Sequence, residues 1–288
     1  MQELTVVSGK GGTGKTSLVA ALCTLAQKAV ICDCDVDAAN LHLLLNHQNI
    51  STKEFWGVKK AFIDPDKCIQ CRKCEQLCSF DAIKGNAVNP MACEGCGLCT
   101  HICPVEAVAM VDHLAGHWYI SDSVYGPFVH AKLGIAEGNS GLLVAEVRKA
   151  AKEMAEESGM PLIITDGPPG IGCPVISALS GTDMALIVTE PTASAMHDME
   201  RIVQVAQNFG CITAVCINKY DLNLENSKVI EDTARRLGVS VIGRIPYQTV
   251  MHKALVSKKP VTLLANNQVK QEISNLWCNI NKLLASIK

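Results

Sequence analysis

The chain has 288 residues, with 26 Lys and Arg against 28 Asp and Glu and a formal net charge of −2. This length suits one large α/β domain or two ordinary ones, and the balanced charge excludes a strongly basic surface, so we expect no nucleic-acid partner. Fifteen cysteines, in a chain that opens directly into a predicted strand without an export segment, indicate a reduced, cytoplasmic setting instead of a secreted disulfide protein.

The first sixty residues are predicted to form a βα unit followed by a second strand. LTVVS at 4–8 is apolar and β-branched, TSLVAALCTLAQK at 16–28 has helical character, and AVICDCD at 29–35 is a short apolar strand that ends in carboxylates. Between the first strand and the helix, Gly9 to Thr16 matches the phosphate loop G-x-x-x-x-G-K-[ST]. An ordinary glycine turn is the competing interpretation, and the flanking strand and helix argue against it.

The phosphate loop predicts a nucleotide site with magnesium. Its glycines let backbone N–H groups point at an anion, and the following helix adds the positive end of its dipole. We expect Lys15 to reach the β- and γ-phosphates and Thr16 to ligate Mg²⁺. The predicted nucleotide-binding residues of the loop are Gly9, Lys10, Gly11, Gly12, Thr13, Gly14, Lys15, Thr16 and Ser17.

Residues 64–110 interrupt this pattern and are predicted to be an insertion, because they are rich in Cys, Gly and Pro and lack long periodic segments. CIQCRKCEQLC and CEGCGLCTHICP both read C-x₂-C-x₂-C-x₃-C. The second run repeats the first at a constant offset of twenty-five residues, so the sequence contains an internal duplication. The eight cysteines are Cys68, Cys71, Cys74 and Cys78 in the first run and Cys93, Cys96, Cys99 and Cys103 in the second.

The α/β pattern resumes after the insertion. HWYISDSVYGPFVHAKL at 117–133 is predicted to form two strands around a Tyr-Gly-Pro turn, and Ser140 can cap a helix that runs to about Ser158. Alternating strands and helices favour a mostly parallel, doubly wound α/β sheet whose ligands bind at the carboxyl ends of the strands. The further predicted strands are 161–166, 184–190, 211–218 and 239–245, with a helix at 193–209.

Acidic residues at strand ends complete the predicted nucleotide site. Asp33 and Asp166 end strands beside the loop, so we expect them to hold the Mg²⁺ shell. Asp35 lies two residues after Asp33 and points the same way, which makes it the candidate for orienting the attacking water. Asp37 is interpreted as the cap of a following helix. Backbone freedom for a nucleotide-dependent change is predicted at Gly167 and Gly170.

Three segments resemble those of a known family. KGGTGKT in the loop, DCDVDAANL at 33–41 and ITDGPPGIG at 164–172 resemble the phosphate loop, switch I, and Walker B with switch II of the MinD/ParA/Mrp deviant-Walker ATPases, relatives of the nitrogenase iron protein. In that family the early lysine, here Lys10, crosses a dimer interface to the partner's nucleotide. The resemblance implies ATP hydrolysis with Lys10, Lys15 and Asp35 as catalytic residues, in a homodimer or in a heterodimer with a related ATPase.

The nucleotide base is predicted to lie between the end of one strand and the IPY segment at 245–247. Asn218 resembles the family's base-contacting asparagine, and Pro246 belongs to the opposite wall. The family resemblance favours ATP. Asn218-Lys219-Tyr220-Asp221 also spells N-K-x-D, the guanine-reading motif of GTPases, so GTP is the alternative.

The cysteine runs resemble a bacterial two-cluster ferredoxin, an α+β domain. The resemblance implies two [4Fe–4S] clusters, the fourth cysteine of each run serving the other cluster. Ser79 stands where that pattern usually has proline, which removes no ligand. Zinc is the alternative metal, and the rhythm of two four-cysteine runs argues against it. Cluster 1 is assigned to Cys68, Cys71, Cys74 and Cys103, and cluster 2 to Cys93, Cys96, Cys99 and Cys78.

The predicted organisation is a P-loop ATPase domain at 1–62 and 111–288 with an inserted ferredoxin-like domain at 63–110. Cys173, at the end of the switch II segment, is interpreted as a buried packing thiol, with a bridging or transient cluster as the second interpretation. The histidines at 113, 117, 130 and 197 do not repeat at ligand spacing and are expected to be surface or hydrogen-bonded residues. The other cysteines are interpreted as core residues, namely Cys23, Cys32, Cys34, Cys211, Cys216 and Cys278.

The C-terminal segment carries an apolar stripe at helical spacing. A closing helix packed on the sheet explains the stripe, and membrane binding of the MinD kind is disfavoured because the polar face has only scattered lysines. No apolar run approaches the roughly 18 residues that a membrane span needs. The stripe comprises Ile273, Trp277, Ile280, Leu284 and Ile287.

These features predict an ATP-hydrolysing iron–sulfur protein with ATP, Mg²⁺ and two [4Fe–4S] clusters as cofactors. In this hypothesis a nucleotide-gated dimer couples hydrolysis to electron transfer or to metallocluster maturation, with a redox or maturation protein as partner. The alternatives are an Mrp-type cluster carrier and a MinD/ParA-like positioning ATPase with structural or sensing clusters. A third alternative, an amidotransfer-type ligase like the cobyrinic acid diamide synthases, is weakened because the sequence shows no glutaminase domain.

Overall fold

The computed structural model describes residues 1–134, 137–138, 140–264 and 268–287, and the chain divides into two compact units. The first unit comprises Met1–Thr52, Trp118–Lys132 and Ser140–Lys288. The second comprises Lys53–His117 and Leu133–Asn139. The predicted insertion at 63–110 therefore lies inside a larger unit, because an antiparallel strand pair and a short return segment flank the cysteine-rich region.

The strands and helices of both units are numbered together in chain order. The strands in chain order are β1 (Gln2–Ser8), β2 (Ala29–Asp33), β3 (His47–Trp56), β4 (Lys60–Ile63), β5 (Ile83–Lys84), β6 (Ala87–Val88), β7 (Val108–Val111), β8 (Leu114–Ser123), β9 (Gly126–Leu133), β10 (Leu162–Pro169), β11 (Met184–Thr189), β12 (Ile212–Asn218) and β13 (Ser240–Ile245). The helices are α1 (Lys15–Leu25), α2 (Lys73–Leu77), α3 (Leu98–Ile102), α4 (Ser140–Ser158), α5 (Cys173–Leu179), α6 (Ala193–Asn208), α7 (Leu224–Arg236), α8 (Thr249–Val256) and α9 (Gln268–Ala285).

Nine strands of the described residues form one sheet in the order β13-β12-β11-β1-β10-β2-β9-β8-β3. The ladders from β13 to β9 are parallel. Strand β1 is the middle one of these seven parallel strands, with β10 and β11 on either side. Because neighbouring parallel strands end at the same edge, the loops after β1, β2, β10, β11 and β12 converge there.

Both faces of this sheet are covered by helices, which explains the continuous apolar runs of its strands. On β1, Leu4 and Val6 belong to a core that also contains apolar residues of α1 and α9. Val7, on the other face, belongs to a second core with residues of α5, α6 and α7. Side chains alternate between faces along a strand, so each strand contributes to both cores.

The C-terminal helix closes the first core, as its apolar stripe predicted. Ile273, Leu276, Ile280 and Leu284 of α9 are buried, and Trp277 and Ile287 pack against the same core with part of their surface exposed. No helix among the described residues is long and apolar enough to cross a membrane.

Two local expectations need correction. Strand β2 ends at Asp33, and the chain then turns, with the Ala38 amide donating to the Asp35 carbonyl at 3.1 Å. Asp37 lies exposed in this turn and caps no helix, since the next helical residues form a single 3₁₀ turn from Leu41. Helix α1 ends at Leu25, three residues before the predicted end, where Ala26 adopts extended backbone.

The second unit combines short strands and short helices. Strands β4 and β7 pair antiparallel, as do β5 and β6. Its small apolar core contains Ile63, Ile83 and Val108, and six of the eight repeat cysteines lie in or against it. Helix α3 begins and ends twenty-five residues after α2, so the duplicated sequence folds as a duplicated backbone.

Candidate functional site

The phosphate loop lies between the centre of the sheet and α1. Gly12 and Gly14 have φ of 83° and 87°, a left-handed conformation that favours glycine. A Cβ atom on Gly14 would lie 2.3 Å from the Asn218 Nδ2 atom. That nitrogen donates to the Thr13 carbonyl oxygen at 2.7 Å. The end of β12 therefore holds the loop by its backbone, which requires glycine at position 14.

Lys15 is buried among the acidic residues that the sequence predicts for this site. Its Nζ lies 2.5 Å from Asp166 Oδ1 and 3.6 Å from Asp35 Oδ2. Burial by itself would lower the pKa of Lys15, but the charges of Asp166, Asp35 and Asp33 raise it. The lysine therefore carries its positive charge at the point where an anionic phosphate would enter the loop.

Two carboxylates face each other on neighbouring strands. Asp166 on β10 is in register with Asp33 at the end of β2. Burial first, and then the negative charge of Asp166, raise the pKa of Asp33 well above its usual value. Asp166 Oδ2 is buried and has no hydrogen-bond partner within the described residues. A divalent cation would neutralise the carboxylates and use that free oxygen, so the residues fit Mg²⁺.

The remaining predicted residues of the nucleotide site lie close by. Thr16 Oγ1 is 3.5 Å from Lys15 Nζ. Burial raises the pKa of Asp35, which lies just beyond β2 and is 9% exposed. Gly167 lies within β10, where a Cβ atom would meet the Val6 carbonyl oxygen at 2.9 Å, and the Gly170 amide donates to the Ser8 carbonyl. The switch II segment therefore starts as part of the sheet.

Lys10 is held by residues of its own chain. Its Nζ lies 2.8 Å from Glu190 Oε1 and 3.3 Å from the hydroxyl oxygens of Thr192 and Ser194. Glu190 and these two hydroxyl groups were missed by sequence reasoning, since no motif marks the segment after β11. The contact of Lys10 with a partner's nucleotide stays a prediction.

The predicted base-binding residues occupy two neighbouring loops. Asn218 is buried at the end of β12, and Lys219 Nζ donates to the Gly12 carbonyl oxygen at 3.0 Å. Asp221 Oδ1 accepts a 2.6 Å hydrogen bond from the Tyr247 amide, next to the buried Pro246. One carboxylate oxygen of the N-K-x-D motif is thus engaged in fastening the IPY segment.

This geometry defines a P-loop nucleotide-binding protein of the α/β class. A glycine loop follows β1, a buried lysine opens α1, and two aspartates lie on β10 and β2, the next two parallel strands on one side of β1. The mostly parallel α/β fold predicted from the sequence is confirmed.

The chain belongs to the family described as the CobQ/CobB/MinD/ParA nucleotide binding domain, whose model matches residues 4–261. An uncharacterized protein of Methanocaldococcus jannaschii, MJ0578, is 31% identical over 99% of this chain and 98% of its own. The septum site-determining protein MinD of Thermotoga maritima is 22% identical over 95% of this chain and 85% of its own. The solved structure of Pyrococcus horikoshii MinD with Mg-ADP shares the fold, with a TM-score of 0.60, 21% identity, and coverage of 99% of this chain and 98% of that one.

The second unit contains two cavities bordered by the repeat cysteines. Three cysteines of one run and the fourth cysteine of the other border each cavity, and Cys74 touches both. Within the described ranges, no three His, Cys, Asp or Glu side chains converge closely enough to hold a metal ion. The first cavity is bordered by Cys68, Cys71, Cys74 and Cys103, and the second by Cys78, Cys93, Cys96 and Cys99.

The backbone around these cavities repeats an uncommon conformation. Residues at three equivalent positions within or just after the two runs have φ between 49° and 74°. In the left-handed region such residues turn successive N–H groups toward a concave site, a geometry that binds anions, including iron–sulfur clusters. The three equivalent pairs are Gln70 with Gly95, Arg72 with Gly97, and Asp81 with Glu106.

The electrostatic environment differs among the thiols. Backbone hydrogen bonds, first that from Val105, lower the pKa of Cys103, whose Sγ accepts from the Ala107 amide at 3.2 Å. Burial raises the pKa of Cys74 and of Cys99. Lys60 is buried in the same unit and donates to the Cys93 carbonyl oxygen at 2.7 Å.

Two cysteine interpretations are wrong. Cys173 is exposed as the first residue of α5, whose inward side chains are Val175, Ala178 and Leu179. Cys278 is exposed on α9, because the helical period turns Leu276 and Ile280 inward instead. The other predicted core cysteines are buried, namely Cys23, Cys32, Cys34, Cys211 and Cys216.

The histidines at 113, 130 and 197 have separate partners and do not converge on one site. His113 hydrogen bonds Glu137 at 2.8 Å. His130 is buried, contacts Ser121 Oγ at 3.1 Å and stacks on Phe128. The His130 ring lies beside the rings of His42 and His47, a histidine group that the sequence did not predict.

Proposed function

We propose that this protein is an ATP-hydrolysing switch whose two nucleotide-binding subunits associate when ATP is bound. The observation that carries the proposal is the buried Lys15, enclosed by Asp33, Asp35 and Asp166 at the carboxyl edge of the sheet. Such a site has a cation for phosphate and carboxylates for a metal ion, and family membership supports nucleotide binding.

Each side chain has a role that follows from its position. The loop amides and Lys15 bind the β- and γ-phosphates, and the lysine leaves Asp166 when the phosphates arrive. Thr16, Asp33 and Asp166 would hold Mg²⁺, which neutralises developing charge on the phosphates. Asp35, beside Lys15 at 3.6 Å, orients the attacking water. Lys10 from the partner subunit completes the charge balance.

ATP is the proposed nucleotide. Asn218 and Pro246 line the two loops where the base would lie, and Asp221 is engaged with the Tyr247 amide. In GTPases the aspartate of this motif accepts hydrogen bonds from the guanine edge with its carboxylate. In this chain one oxygen of Asp221 already accepts from the Tyr247 amide, which argues against guanine. Competition binding of ATP and GTP to the purified protein tests this assignment, and a preference for GTP would overturn it.

We further propose that the second unit binds two [4Fe–4S] clusters. Each cavity is bordered by three thiols of one run and the fourth thiol of the other, and left-handed residues recur at equivalent positions of the two repeats. In a cubane cluster each thiolate binds a different iron at a corner, so its four ligands surround a cavity and need not converge on one ion. The donor set therefore fits the clusters.

The proposed clusters can be related to ATP hydrolysis in more than one way. The family model and the MinD relatives support the ATPase and give no support to electron transfer, which rests on the thiol cavities alone. A positioning-type ATPase with structural or sensing clusters is therefore the candidate that the relatives favour. Nucleotide-gated electron transfer or cluster maturation is the candidate that the cysteine ligation favours, because four cysteines per cluster suit retention of the cluster.

Cluster binding is tested by iron content and electron paramagnetic resonance of protein prepared without oxygen. Wild-type protein should carry about eight irons, two cubanes of four, with the signal of reduced [4Fe–4S]. Cys96→Ser should lose one cluster, whereas Cys278→Ser, which changes an exposed cysteine outside the cavities, should retain both. Stoichiometric zinc and no iron in freshly prepared wild-type protein would contradict the proposal.

The switch is tested by sedimentation with and without ATP and Mg²⁺. Wild-type protein should dimerise with ATP, and Lys10→Ala should neither dimerise nor hydrolyse normally. A Lys10→Ala variant that does both would remove the role of this lysine in the partner's site.

The coupling is tested by reduction of the loaded protein with dithionite or a reduced ferredoxin in each nucleotide state. A nucleotide-dependent cluster potential or reduction rate supports electron gating, and loss of clusters to an apo-acceptor supports a carrier. Indifference of the clusters to nucleotide supports the positioning ATPase. A partner captured in each state identifies the redox or maturation protein.

A further inference from the structure

The Lys10 ammonium has all its donors satisfied within its own chain. An ammonium has three N–H donors, and three acceptors surround this one: the Glu190 carboxylate at 2.8 Å and the hydroxyls of Thr192 and Ser194 at 3.3 Å each. Glu190 directly follows β11, Thr192 is the N-cap of α6, and Ser194 lies in its first turn. One short segment therefore provides the whole docking site for Lys10.

Glu190 also binds a second cation. Its Oε2 lies 2.8 Å from Lys219 Nζ, which in turn donates to the Gly12 carbonyl oxygen of the phosphate loop at 3.0 Å. Burial opposes ionisation of this carboxyl group, yet its hydrogen bonds with Lys10 and Lys219 lower the pKa of Glu190. One carboxylate thus bridges two lysines of the nucleotide site.

We propose that Glu190 is a positioning residue that docks Lys10 in cis in the nucleotide-free chain and releases it toward a second copy of the chain when ATP binds. This inference rests on the proposed action of Lys10 in the partner's site. A docked ammonium has no free donor for a partner's phosphate, so undocking must precede catalysis.

The second lysine makes the release reversible at low cost. When Lys10 leaves, Lys219 still neutralises Glu190, so no buried carboxylate is left without a partner. The side chains of Lys10 and Glu190 are 33% and 12% exposed, and partly exposed ion pairs contribute little, equivalent to about a two- to fivefold shift in an equilibrium. Docking of this strength biases the resting state without locking it.

Glu190→Gln removes the charge and keeps the shape of the side chain. We expect the half-maximal ATP concentration for dimerisation to fall about two- to fivefold in this variant. In nucleotide-free protein, acetylation of Lys10 by an amine-reactive ester, followed by peptide mass spectrometry, should be faster by the same factor. Ser194→Ala, which removes one acceptor without touching Lys219, should shift both measurements in the same direction by less.

Glu200→Gln is the matched control. Glu200 lies on α6, the helix that begins after Thr192, and pairs with Arg236 at 2.8 Å, away from Lys10, so both measurements should equal those of wild type. An unchanged acetylation rate in Glu190→Gln would overturn the inference. If no chain dimerises with ATP, the proposed function fails separately. A faster acetylation rate would then still support docking in cis and overturn only the release toward a second copy.

Discussion

Gly14 shows how one residue can be fixed by both its backbone and its neighbour. Its φ is 87°, and an added Cβ would lie 2.3 Å from Asn218 Nδ2. An alanine there has to adopt a left-handed conformation, which costs about 1–2 kcal/mol, and must also displace the side chain that holds the loop. The absence of a side chain at Gly14 therefore lets Asn218 hold the loop.

We predict that Gly14→Ala lowers the free energy of unfolding by about 1–2 kcal/mol and weakens ATP binding at least about tenfold, because displaced Asn218 lies at the proposed base site. Urea unfolding and titration calorimetry measure the two effects. Gly11→Ala is the stability control, since its Cβ meets no atom within 4 Å. Equal unfolding free energies for the two variants would contradict the steric argument.

His130 gives the stability a defined dependence on pH. Burial, with smaller contributions from the nearby His47 and His42, lowers its pKa from 6.5 to about 3. Above pH 6.5 the ring is neutral in both the folded and the unfolded chain. Between pH 6.5 and 3 only the unfolded chain takes up the proton, so stability falls as the pH falls.

We predict that the protonation of His130 in the unfolded chain lowers the free energy of unfolding by about 1.4 kcal/mol for each pH unit below 6.5. Urea unfolding at a series of pH values measures the slope. His130→Gln should reduce the slope by one proton. Equal slopes for wild type and His130→Gln would show that this ring is not protected from protonation.

At the scale of elements, a buried ion pair joins the first strand to two helices. Glu3 on β1 accepts two hydrogen bonds from Arg148 on α4, at 2.9 and 2.7 Å. Arg148 Nη1 also donates to the carbonyls of Ser177 and Ser180 at the end of α5. This network fastens α4 and α5 to the strand that leads into the phosphate loop.

We predict that Arg148→Met lowers the free energy of unfolding by about 3–5 kcal/mol, because it leaves Glu3 buried and without its bidentate partner. Chemical unfolding at neutral pH measures the loss. Lys149→Met removes an exposed pair on the same helix, with the two atoms 3.9 Å apart, and should change stability by less than about 0.5 kcal/mol. Similar losses in both variants would argue against the special role of the buried pair.

At the scale of the whole molecule, the two compact units contain two different sets of candidate binding residues. The nucleotide residues all lie in the first unit, and the repeat cysteines all lie in the second. Ligand binding stabilises the structure that contains its site. Each unit should therefore respond to its own ligand.

We predict that ATP with Mg²⁺, at one hundred times its dissociation constant, stabilises the first unit by about 2.7 kcal/mol against opening. Hydrogen exchange with mass spectrometry should show slower exchange in β1, α1 and β10 of cluster-free protein. Peptides of β4, α2, α3 and β7 should instead respond to iron and sulfide loading. Equal protection of both sets by nucleotide alone would show that the units open together.

The sequence predicted the parts of the site that are built from neighbouring residues. The phosphate loop, Asp33 at the end of β2 and the cysteine repeat are all short patterns whose spacing reflects local geometry. Asp166 was expected at the end of its strand, but β10 continues to Pro169. Helix α4 and the C-terminal helix were also predictable, since their apolar periodicity extends over many residues. The exposure of Cys173 was not, because it begins a helix of only seven residues whose buried face has little periodicity to mark it. Cys278 lies off the apolar stripe of its helix, so the same periodicity could have predicted its exposure.

By itself, the sequence determined the class of fold, the phosphate loop and the duplication of the two cysteine runs. Only the tertiary structure decided where Lys10 rests, since its partner Glu190 lies 180 residues away in the chain and carries no motif. It also decided that the Asn218 and Lys219 side chains hold the loop and that the second unit extends beyond the insertion. The physical reason is common to all of these: contacts between distant segments depend on packing of the sheet, which spacing along the chain does not specify.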